Sequence, residues 1–372
     1  MGYRAGPVEM LGLTALNDAY RGRRVLITGH TGFKGSWLAL WLTQLGAKVT
    51  GVSLAPPTSP SHWDLLRLQV AEHRVDVRDY AAVASAVTDS KPECVFHLAA
   101  QSLVRRSYAG PLDTWSTNVM GTANLLEACR SVSSVRAIVA VTTDKCYEND
   151  RRTSPYDEDD RLGGHDPYSA SKAAAELAAS SYRAAFMSSA SSALIATARA
   201  GNVIGGGDWA EDRLLPDLMR AQSRGERLTV RSPGATRPWQ HVLDCLSGYL
   251  QLGAHLLGGR LDAARAWNFG PDSRDTRTVA DLLASMQAHW PGLRWEAGRA
   301  EGPHEALTLS LNSDRARKLL GWRRTWSFDE ATRATSTWYK AFLESGTILS
   351  REQLAEFGAA SDKLVQRKLE SA

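Results

Sequence analysis

The sequence predicts an α/β protein with a doubly wound parallel sheet and a smaller C-terminal α/β lobe. Up to about residue 200, short apolar runs rich in β-branched residues alternate with segments of helical spacing, which is the pattern of repeated βα units. The first apolar run ends in a glycine-rich loop that a helical segment follows. Because crossovers between parallel strands are right-handed, these observations indicate helices on both faces of the sheet.

The chain opens with a strand, a loop, a helix and a second strand. Arg24–Thr28 (RVLIT) reads as a buried strand, residues 36–45 as a helix that ends at Gly46, and Lys48–Ser53 as the next strand. The same alternation predicts, in order, strand 75–77, helix 80–88, strand 94–98, helix 118–130, strand 137–142, a helix that begins near Tyr168, and strand 194–198.

Bulk composition narrows the possible partners. The net charge is +4 over 372 residues, with no basic run interleaved with aromatic residues, so the sequence does not predict nucleic-acid binding. No apolar stretch is long enough to span a membrane. The scattered cysteines, Cys94, Cys129, Cys146 and Cys245, lack metal or redox spacing. We therefore expect no metal site and a reducing, cytoplasmic location.

The glycine loop after the first strand predicts a dinucleotide site. Glycines permit the tight turn and the close approach of backbone to pyrophosphate, and the following helix N-terminus supplies N–H donors. A tight βα turn without a nucleotide is the alternative. Two loop side chains, His30 and Lys34, could contact phosphate. The candidate cofactor contacts in the loop are Gly29, His30, Gly32, Phe33, Lys34 and Gly35.

The remaining cofactor contacts are expected at the ends of later strands. NAD sites usually have an acidic residue about 20 positions further on, at the end of the second strand. Here that position is near Ser53, so NAD is expected and NADP stays open. Asp76 could contact the adenine edge or simply cap its loop. The other candidates at strand ends are Val77, Ala99, Ala100 and Gln101.

The sequence predicts a division of the chain into three parts. Residues 1–22 have no long apolar segment, so they are expected to form a loosely held extension or an amphipathic turn rather than a secretory signal. Residues 23–200 are predicted as the dinucleotide-binding domain that carries the catalytic residues. Residues 201–372 begin with a glycine loop and continue with charged stretches that contain tryptophan and proline, and are predicted mainly as a substrate-binding lobe.

The motif DPYSASK places Tyr168 and Lys172 on one face of a helix. A lysine cation can lower the pKa of a phenol and make it a proton acceptor near neutral pH. Thr143, at the end of the preceding strand, can hydrogen-bond a substrate hydroxyl. Together with the glycine loop, this set predicts hydride chemistry on an alcohol or ketone, whereas a lone Tyr/Lys pair could be a chance feature of an exposed helix.

Asp144 and Lys145 follow Thr143 directly. A carboxyl and an amine held over one substrate form a potential acid/base pair, which a plain dehydrogenase does not need. The alternative is an ion pair on a surface loop with little effect. The doublet therefore suggests that the reaction does not stop at hydride transfer.

Segments along nearly the whole chain resemble the extended short-chain dehydrogenase/reductase superfamily, and more narrowly the CDP-glucose 4,6-dehydratases. The similar segments include TGHTGFKGSWL (28–38), FHLAAQSLVRRSY (96–108), STNVMGTANLLEA (116–128), TTDKCY (142–147), RAGNVIGGGDWAEDRLLPD (199–217) and RPWQHVLDCLSGYL (237–250). The doublet of Asp144 and Lys145 carries the narrower resemblance, because the related dTDP-glucose enzymes look like Thr-Asp-Glu at this site.

The resemblance implies an internal redox cycle on a nucleotide sugar. Tyr168 and NAD oxidise C4, water is lost across C5 and C6, and the hydride returns to C6. Asp144 is implied as the acid for the C6 hydroxyl and Lys145 as a helper at C5, with their division of roles left open. An epimerase or decarboxylase that uses Tyr168 and Lys172, or a catalytically silent dinucleotide-binding protein, is the alternative.

The second half is implied to hold the nucleotide sugar. Arg237 is the candidate for the diphosphate, because a guanidinium binds it in a bidentate manner. Trp239 and Trp209 could pack on ribose or base, or belong to the core. Segment 148–165 departs from the family pattern near the expected site entrance, which points to it as a determinant of sugar specificity. The other candidate substrate contacts are Asn202, Arg213 and His304.

The resemblance also implies an assembly. Members of the superfamily pair through two long helices, here within 112–130 and 168–186, and so build a four-helix bundle between subunits. A homodimer or homotetramer is therefore expected.

Overall fold

The apolar runs of the sequence become strands in the computed structural model, which describes residues 11–150, 152, 154–187, 192–272, 275–298 and 309–370. The strands are β1 (Arg24–Thr28), β2 (Lys48–Ser53), β3 (Ala71–Arg74), β4 (Cys94–His97), β5 (Ala137–Val141), β6 (Leu194–Ala200), β7 (Val203–Ile204), β8 (Leu228–Val230), β9 (Thr236–Arg237), β10 (Gln240–His241), β11 (Ala266–Phe269), β12 (Arg277–Thr278) and β13 (Trp295–Ala297).

Helices connect these strands, and their starts follow from local sequence. Helix α8, for example, begins where Asp166 accepts a hydrogen bond from the Ser169 amide and Pro167 occupies the first turn. The helices are α1 (Leu13–Tyr20), α2 (Phe33–Gln44), α3 (His62–Leu66), α4 (Tyr80–Ser90), α5 (Val104–Ala109), α6 (Pro111–Trp115), α7 (Gly121–Arg130), α8 (Pro167–Phe186), α9 (Leu214–Ser223), α10 (Val242–Leu257), α11 (Val279–His289), α12 (Asp314–Leu319), α13 (Phe328–Ser345) and α14 (Ser350–Glu370).

The central sheet has the strand order β3-β2-β1-β4-β5-β6-β11, and every neighbouring pair is parallel. Strands β4 and β5 are buried at every position, as expected for parallel strands covered on both faces. One face packs on α4, α7 and α8 through a cluster that includes Leu26, Val83, Leu125 and Ile195. The other face packs on α2 and α10. The predicted doubly wound sheet is confirmed.

The third strand differs from its prediction. It lies at Ala71–Arg74 rather than at 75–77, and Ser53 pairs with Arg74 in register. This strand is an edge strand with mostly exposed side chains, so it carries no apolar pattern that a sequence could reveal. Val77 is instead buried beyond the strand, where it packs against Gly121.

Residues 13–20 form a helix that is packed on the domain, in place of the loose extension that the sequence suggested. Tyr20 is fully buried, and its hydroxyl donates to the Leu250 carbonyl at 2.7 Å. The amide of Leu13 donates to the carboxylate of Asp362 in α14 at 2.9 Å. Both ends of the described chain therefore meet on one side of the protein.

The second half of the chain does not stay apart from the sheet. Strand β11 pairs with β6, and α10 lies against β5 and β6. The short pairs β7–β10, β8–β13 and β9–β12 form three separate two-stranded sheets in this half. A division at residue 200 therefore remains a proposal about function, because the two halves share one sheet. Among the described residues, no helix has the length and apolar character needed to cross a membrane.

Candidate active site

The carboxyl end of β5 and the start of α8 build the centre of the site. Thr143 follows β5, and its hydroxyl donates to Oδ1 of Asp144 at 3.0 Å. The Thr143 side chain also shares a hydrogen bond with Tyr168. Open α/β sheets bind ligands at this edge, so the structure brings the predicted Thr143, Asp144 and Tyr168 together at the expected place.

Tyr168 lies in a buried setting that favours its protonated form. Burial raises the pKa of Tyr168 to about 12, while the hydrogen bond with Thr143 and the charge of Arg213 act in the opposite direction. The carboxylate of Asp144 raises the pKa further. Arg213, predicted only as a substrate contact, is thus one of the groups that favour the tyrosinate.

Lys172 is buried one turn further along α8. Its Nζ donates to the Val141 carbonyl at 3.1 Å, and burial together with the nearby charge of Lys34 lowers its pKa to about 8. The lowering of the phenol pKa that we expected from Lys172 comes here from Thr143 and Arg213 instead. Lys34 and Lys172 place two cations beside the glycine loop, which suits an anionic ligand.

The glycine loop fits a dinucleotide. Gly29 has a φ of 75°, and a Cβ there would lie 2.7 Å from the Ala99 amide nitrogen. A Cβ at Gly35 would lie 2.1 Å from the Gly29 carbonyl oxygen. At Gly32 the nearest protein atom would be 3.4 Å away. The protein itself therefore leaves room at Gly32, the first residue before α2, where backbone approach to pyrophosphate needs a bare Cα.

The side chains of the loop have different surroundings from one another. His30 is fully buried, with its ring 4.5 Å from the Trp63 ring and its Nε2 3.0 Å from a carboxylate oxygen of Glu72. The phosphate contact expected of His30 is therefore not available to it. Lys34 reaches the Tyr249 hydroxyl at 3.4 Å, and Phe33 packs against Gly205.

The expected adenosine end of the site lies at the ends of β2 and β3. The Ser53 hydroxyl lies 2.7 Å from that of Thr31, and Arg74 donates to the Leu54 carbonyl at 3.1 Å. Asp76 accepts from the Arg78 amide at 2.9 Å and pairs with its guanidinium at 2.6 Å. Those hydrogen bonds lower the pKa of Asp76 and match the loop-capping alternative.

Asn118 is a positioning residue that the sequence analysis missed. Its Oδ1 accepts from the Gln101 amide at 2.8 Å, and its Nδ2 donates to the Ser171 hydroxyl at 2.8 Å. It thus joins the loop after β4, which contains the predicted Ala99, Ala100 and Gln101, to the helix of Tyr168 and Lys172. Asn118 stands among polar residues in the segment STNVMGT, so the sequence held no local signal of its burial.

Asp144 is a buried carboxylate at the edge of the site, with 3% of its surface exposed. Its Oδ2 lies 2.8 Å from the position of a Cβ at Gly201. Lys145 follows on a short 3₁₀ turn and is partly buried. Because Asp144 is buried, the alternative of an ion pair on a surface loop does not describe it.

The predicted substrate residues in the second half of the chain have different surroundings from one another. Arg213 pairs with Asp208 at 3.0 Å and lies near Tyr168. The Asn202 carbonyl accepts from the Gln240 amide at 3.2 Å. Arg237 in β9 stands opposite Arg277 in β12, which brings two guanidinium-bearing residues onto adjacent strands. His304 lies outside the described residues.

Two tryptophans considered for the substrate belong to the core. Trp209 is 7% exposed, and its ring lies 5.4 Å from that of Tyr339 and 5.3 Å from that of Phe342. Trp239 is buried and donates to the Arg277 carbonyl at 3.2 Å. The core alternative therefore describes both side chains in this structure.

The segment 148–165 is anchored rather than loose where it is described. The rings of Tyr147 and Tyr156 stack at 5.0 Å. The amide of Tyr156 donates to the Ser310 carbonyl at 2.9 Å. The segment therefore joins the end of the catalytic loop to the C-terminal part of the chain.

Comparison with known proteins relates this geometry to a family. Residues 25–270 match the NAD dependent epimerase/dehydratase family. The chain is 42% identical over 353 residues to the CDP-glucose 4,6-dehydratase of Salmonella typhimurium, an alignment that covers 92% of this chain and 98% of the relative.

Solved structures of a dehydratase and an epimerase also superpose on this chain. The dTDP-glucose 4,6-dehydratase of Streptomyces venezuelae, solved with NAD bound, superposes with a TM-score of 0.70 at 27% identity and covers 85% of this chain and 97% of its own. An epimerase of Methanothermobacter thermautotrophicus superposes with a TM-score of 0.78 at 24% identity, over 91% of this chain and 97% of its own. The second likeness concerns the fold alone.

Proposed function

Since the chain belongs to the NAD dependent epimerase/dehydratase family, we propose that it is a CDP-glucose 4,6-dehydratase. The product is CDP-4-keto-6-deoxyglucose. The observation that carries this proposal is the buried Asp144, followed by Lys145, within the hydrogen-bonded group of Thr143 and Tyr168. The 42% identity to the Salmonella typhimurium enzyme along nearly its whole length supports the same substrate and base.

Oxidation at C4 depends on Tyr168 and Thr143. Gly29, Gly32 and Gly35 would hold NAD, which when bound would supply a hydride acceptor for C4 and the hydride for C6, while C5 regains a proton. Thr143 hydrogen-bonds the C4 hydroxyl, and Tyr168 takes its proton. The hydrogen bond between Thr143 and Tyr168 and the positive charge of Arg213 favour the tyrosinate that must form. The solved dTDP-glucose 4,6-dehydratase of Streptomyces venezuelae, which this chain resembles, has NAD bound.

Loss of water across C5 and C6 depends on the doublet. The ketone at C4 makes the C5 proton acidic, so a base can remove it while an acid protonates the departing C6 hydroxyl. We assign the acid to Asp144 and the assistance at C5 to Lys145. Asp144 is held by Thr143 at 3.0 Å, which places the acid next to the group that binds the C4 oxygen.

The nucleotide sugar would be held by the second half of the chain. Arg237 is assigned to the diphosphate, and Arg213, Asn202 and His304 are assigned to further phosphate or base contacts. Arg277, opposite Arg237 in the β9–β12 pair, supports a clamp built from two guanidinium groups. The anchored segment 148–165 is proposed to shape the sugar pocket.

We also propose that the protein assembles as a homodimer or as a homotetramer. Apolar side chains are exposed along the segments predicted to pair: Leu112, Trp115 and Met120 within 112–130, and Leu177 within 168–186. Leu112 is 84% exposed. A second copy packed against these helices would cover this apolar surface in a four-helix bundle.

A reducing, cytoplasmic location also belongs to the proposal. All four cysteines of the chain are free and buried. Burial raises the pKa of Cys94 and Cys129, so these thiols are unreactive and behave as core residues. A compartment that keeps thiols reduced suits such a chain.

The test is to give the purified protein CDP-, dTDP-, UDP- and GDP-glucose in turn with NAD, and to analyse the products by mass spectrometry and NMR. Loss of one water from CDP-glucose, with a C4 ketone and a C6 methyl group, is the expected result. A product of unchanged mass would replace the dehydratase by an epimerase. With a nucleotide sugar acid added to the same assay, loss of carbon dioxide from it would replace the dehydratase by a decarboxylase.

A further inference from the structure

A cavity of about 290 Å³ lies beside α8, beyond the catalytic residues, and no step of the proposed reaction uses it. Its lining includes four arginines: Arg183 of α8, Arg199 of β6, Arg265 and Arg315. Guanidinium groups are planar, permanently charged donors that match phosphate geometry. Their convergence on one cavity raises the question of which anion they hold.

The carboxylates of the cavity are already engaged by two of these arginines. Glu176 accepts from Arg199 at 2.8 Å, and also from Thr142 and Thr197. Asp159 pairs with Arg315 at 2.5 Å. Glu158, the third carboxylate, accepts from the Asn268 amide at 3.0 Å and lies 3.4 Å from Arg315. None of the three forms an ion pair within 4.0 Å with either of the other two arginines among the described residues, although the charge of Glu176 acts on Arg183 and that of Arg265 acts on Asp159.

Arg183 and Arg265 make no ion pair with any residue that the structure describes. Arg183 donates through Nε to the Ile195 carbonyl at 2.8 Å. Burial lowers the pKa of Arg183, the charge of Glu176 acts in the opposite direction, and the charges of Arg199 and Arg265 add to the lowering. Four guanidinium groups against three carboxylates leave the lining with an excess of positive charge.

Arg199 adds an independent indication that points to a ligand. Its side chain is 3% exposed, and within the described part of the chain its Nε has no hydrogen-bond partner. A buried charged donor without an acceptor is costly, so such groups usually face a ligand or an ordered water. The cavity that Arg199 lines is large against the roughly 30 Å³ that a water molecule occupies in the liquid.

We propose that this arginine cavity binds a phosphate group, either as inorganic phosphate or as a small phosphomonoester. The phosphate would bring negative charge to a lining with one excess positive charge, accept from Arg183 and Arg265, and satisfy the donor of Arg199. The site is separate from the proposed nucleotide-sugar clamp, because Arg237 does not line it.

The test is calorimetric titration of the full-length protein with inorganic phosphate at constant ionic strength. The Arg237→Gln background removes phosphate binding at the proposed diphosphate clamp. We expect saturable binding to remain in that background, and Arg265→Gln added to it should weaken binding about tenfold or more, since one charge-assisted contact is lost. Arg265 is exposed, so this substitution should leave the fold intact.

Two further variants make the result decisive. Arg227→Gln removes an exposed arginine elsewhere, whose nearest carboxylate oxygen is 4.0 Å away in Glu296, and should leave phosphate affinity unchanged. Arg183→Gln should weaken it as Arg265→Gln does. Equal affinity of Arg265→Gln and its parent, or loss of all saturable binding in Arg237→Gln, would overturn the proposal. Titration with glycerol phosphate separates the two sources: tighter binding than phosphate indicates an ester, and weaker binding indicates the free anion.

Discussion

Oδ2 of Asp144 lies 2.8 Å from the point that a Cβ would occupy at Gly201. The backbone after β6 thus passes directly over the proposed acid. Gly201 does not have a left-handed backbone, so its role is to leave space rather than to provide an unusual conformation. The glycine loop 201–207 accordingly sets the position of a carboxylate in another part of the chain.

Gly201→Ala should therefore push Asp144 out of position and slow dehydration by about tenfold to a hundredfold, since small displacements of a catalytic group have effects of this size. C4 oxidation, which relies on Tyr168, should be much less affected. Both steps can be followed with CDP-glucose, by product mass and by the absorbance of reduced cofactor. Gly234→Ala is the matched control, because nothing lies within 4 Å of a Cβ there. Equal rates for the two variants would contradict this role of Gly201.

Asp144→Asn should permit C4 oxidation but stall the loss of water, because an amide cannot protonate the departing hydroxyl. We expect dehydration to fall about a hundredfold to ten-thousandfold, with reduced cofactor accumulating in a rapid-mixing experiment. Lys145→Ala should behave in the same way if it assists at C5. Tyr168→Phe is the contrasting variant, which should fail to reduce the cofactor at all. Normal turnover by Asp144→Asn would remove the acid role from this residue.

The affinity for NAD should depend on pH because of Lys172. Its pKa is lowered to about 8 by burial and by Lys34, so it is charged at pH 7 and loses that charge as the pH rises to 9. If the charged form binds the anionic cofactor, affinity should fall about tenfold over this interval. Quenching of tryptophan fluorescence measures the affinity. Lys172→Met should flatten the dependence, whereas Lys48→Met, on the exposed start of β2, should keep it.

Asp244 should make the protein less stable as the pH rises. Burial raises its pKa to about 7, from an ordinary value of 3.8. Between these values the native state holds a proton that the unfolded chain has released, so the free energy of unfolding falls with increasing pH. The Thr325 amide donates to Oδ1 of Asp244 at 2.6 Å. Asp244→Asn keeps an acceptor for this amide but removes the titratable carboxyl group.

The Asp244→Asn variant should therefore be more stable than the natural chain at pH 8, by on the order of a few kcal/mol. The difference should shrink at pH 5. Urea unfolding at the two pH values measures both quantities. An advantage that is independent of pH would show that the carboxyl does not titrate in this range.

Leu112→Glu should dissociate the proposed dimer. The substitution places a charge at the centre of an apolar surface that a second copy would bury. Light scattering after size-exclusion chromatography should show the monomer mass for this variant, with an unchanged circular dichroism spectrum. Leu261→Glu changes a side chain that is also exposed, but lies outside the helices of the bundle, and should keep the mass of the natural chain. A monomeric natural chain would contradict the assembly.

The parts predicted well from sequence depend on local spacing. Tyr168 and Lys172 share a face because they are one helical turn apart, and Thr143 reaches the sheet edge because an apolar strand precedes it. The glycine loop was likewise predicted from local spacing, because its glycines lie between a strand and a helix. The fold class follows from the alternation of buried strands with helices, which is strong in β4 and β5 because both are covered on both faces.

The parts predicted poorly depend on contacts between distant segments. His30 looks like a phosphate ligand in its motif, yet its side chain is buried beside Glu72 because β3 pairs with β2. The strand β3 is itself exposed and polar, so its sequence gives no apolar signal. The effect of Arg213 on Tyr168 requires the second half of the chain to fold over the first, and no local spacing records that approach.

Strand β6 obtains one of its two neighbours late in biosynthesis. It ends at Ala200, whereas β11, which covers its outer edge, begins at Ala266. A nascent chain therefore emerges from the ribosome with an apolar strand whose amide and carbonyl groups are open on one side, and translation at roughly 5–20 residues per second prolongs that state for several seconds. Open edges of this kind template pairing with other chains. Completion of the sheet by the second half thus protects the first half from aggregation, and the yield of folded protein depends on it.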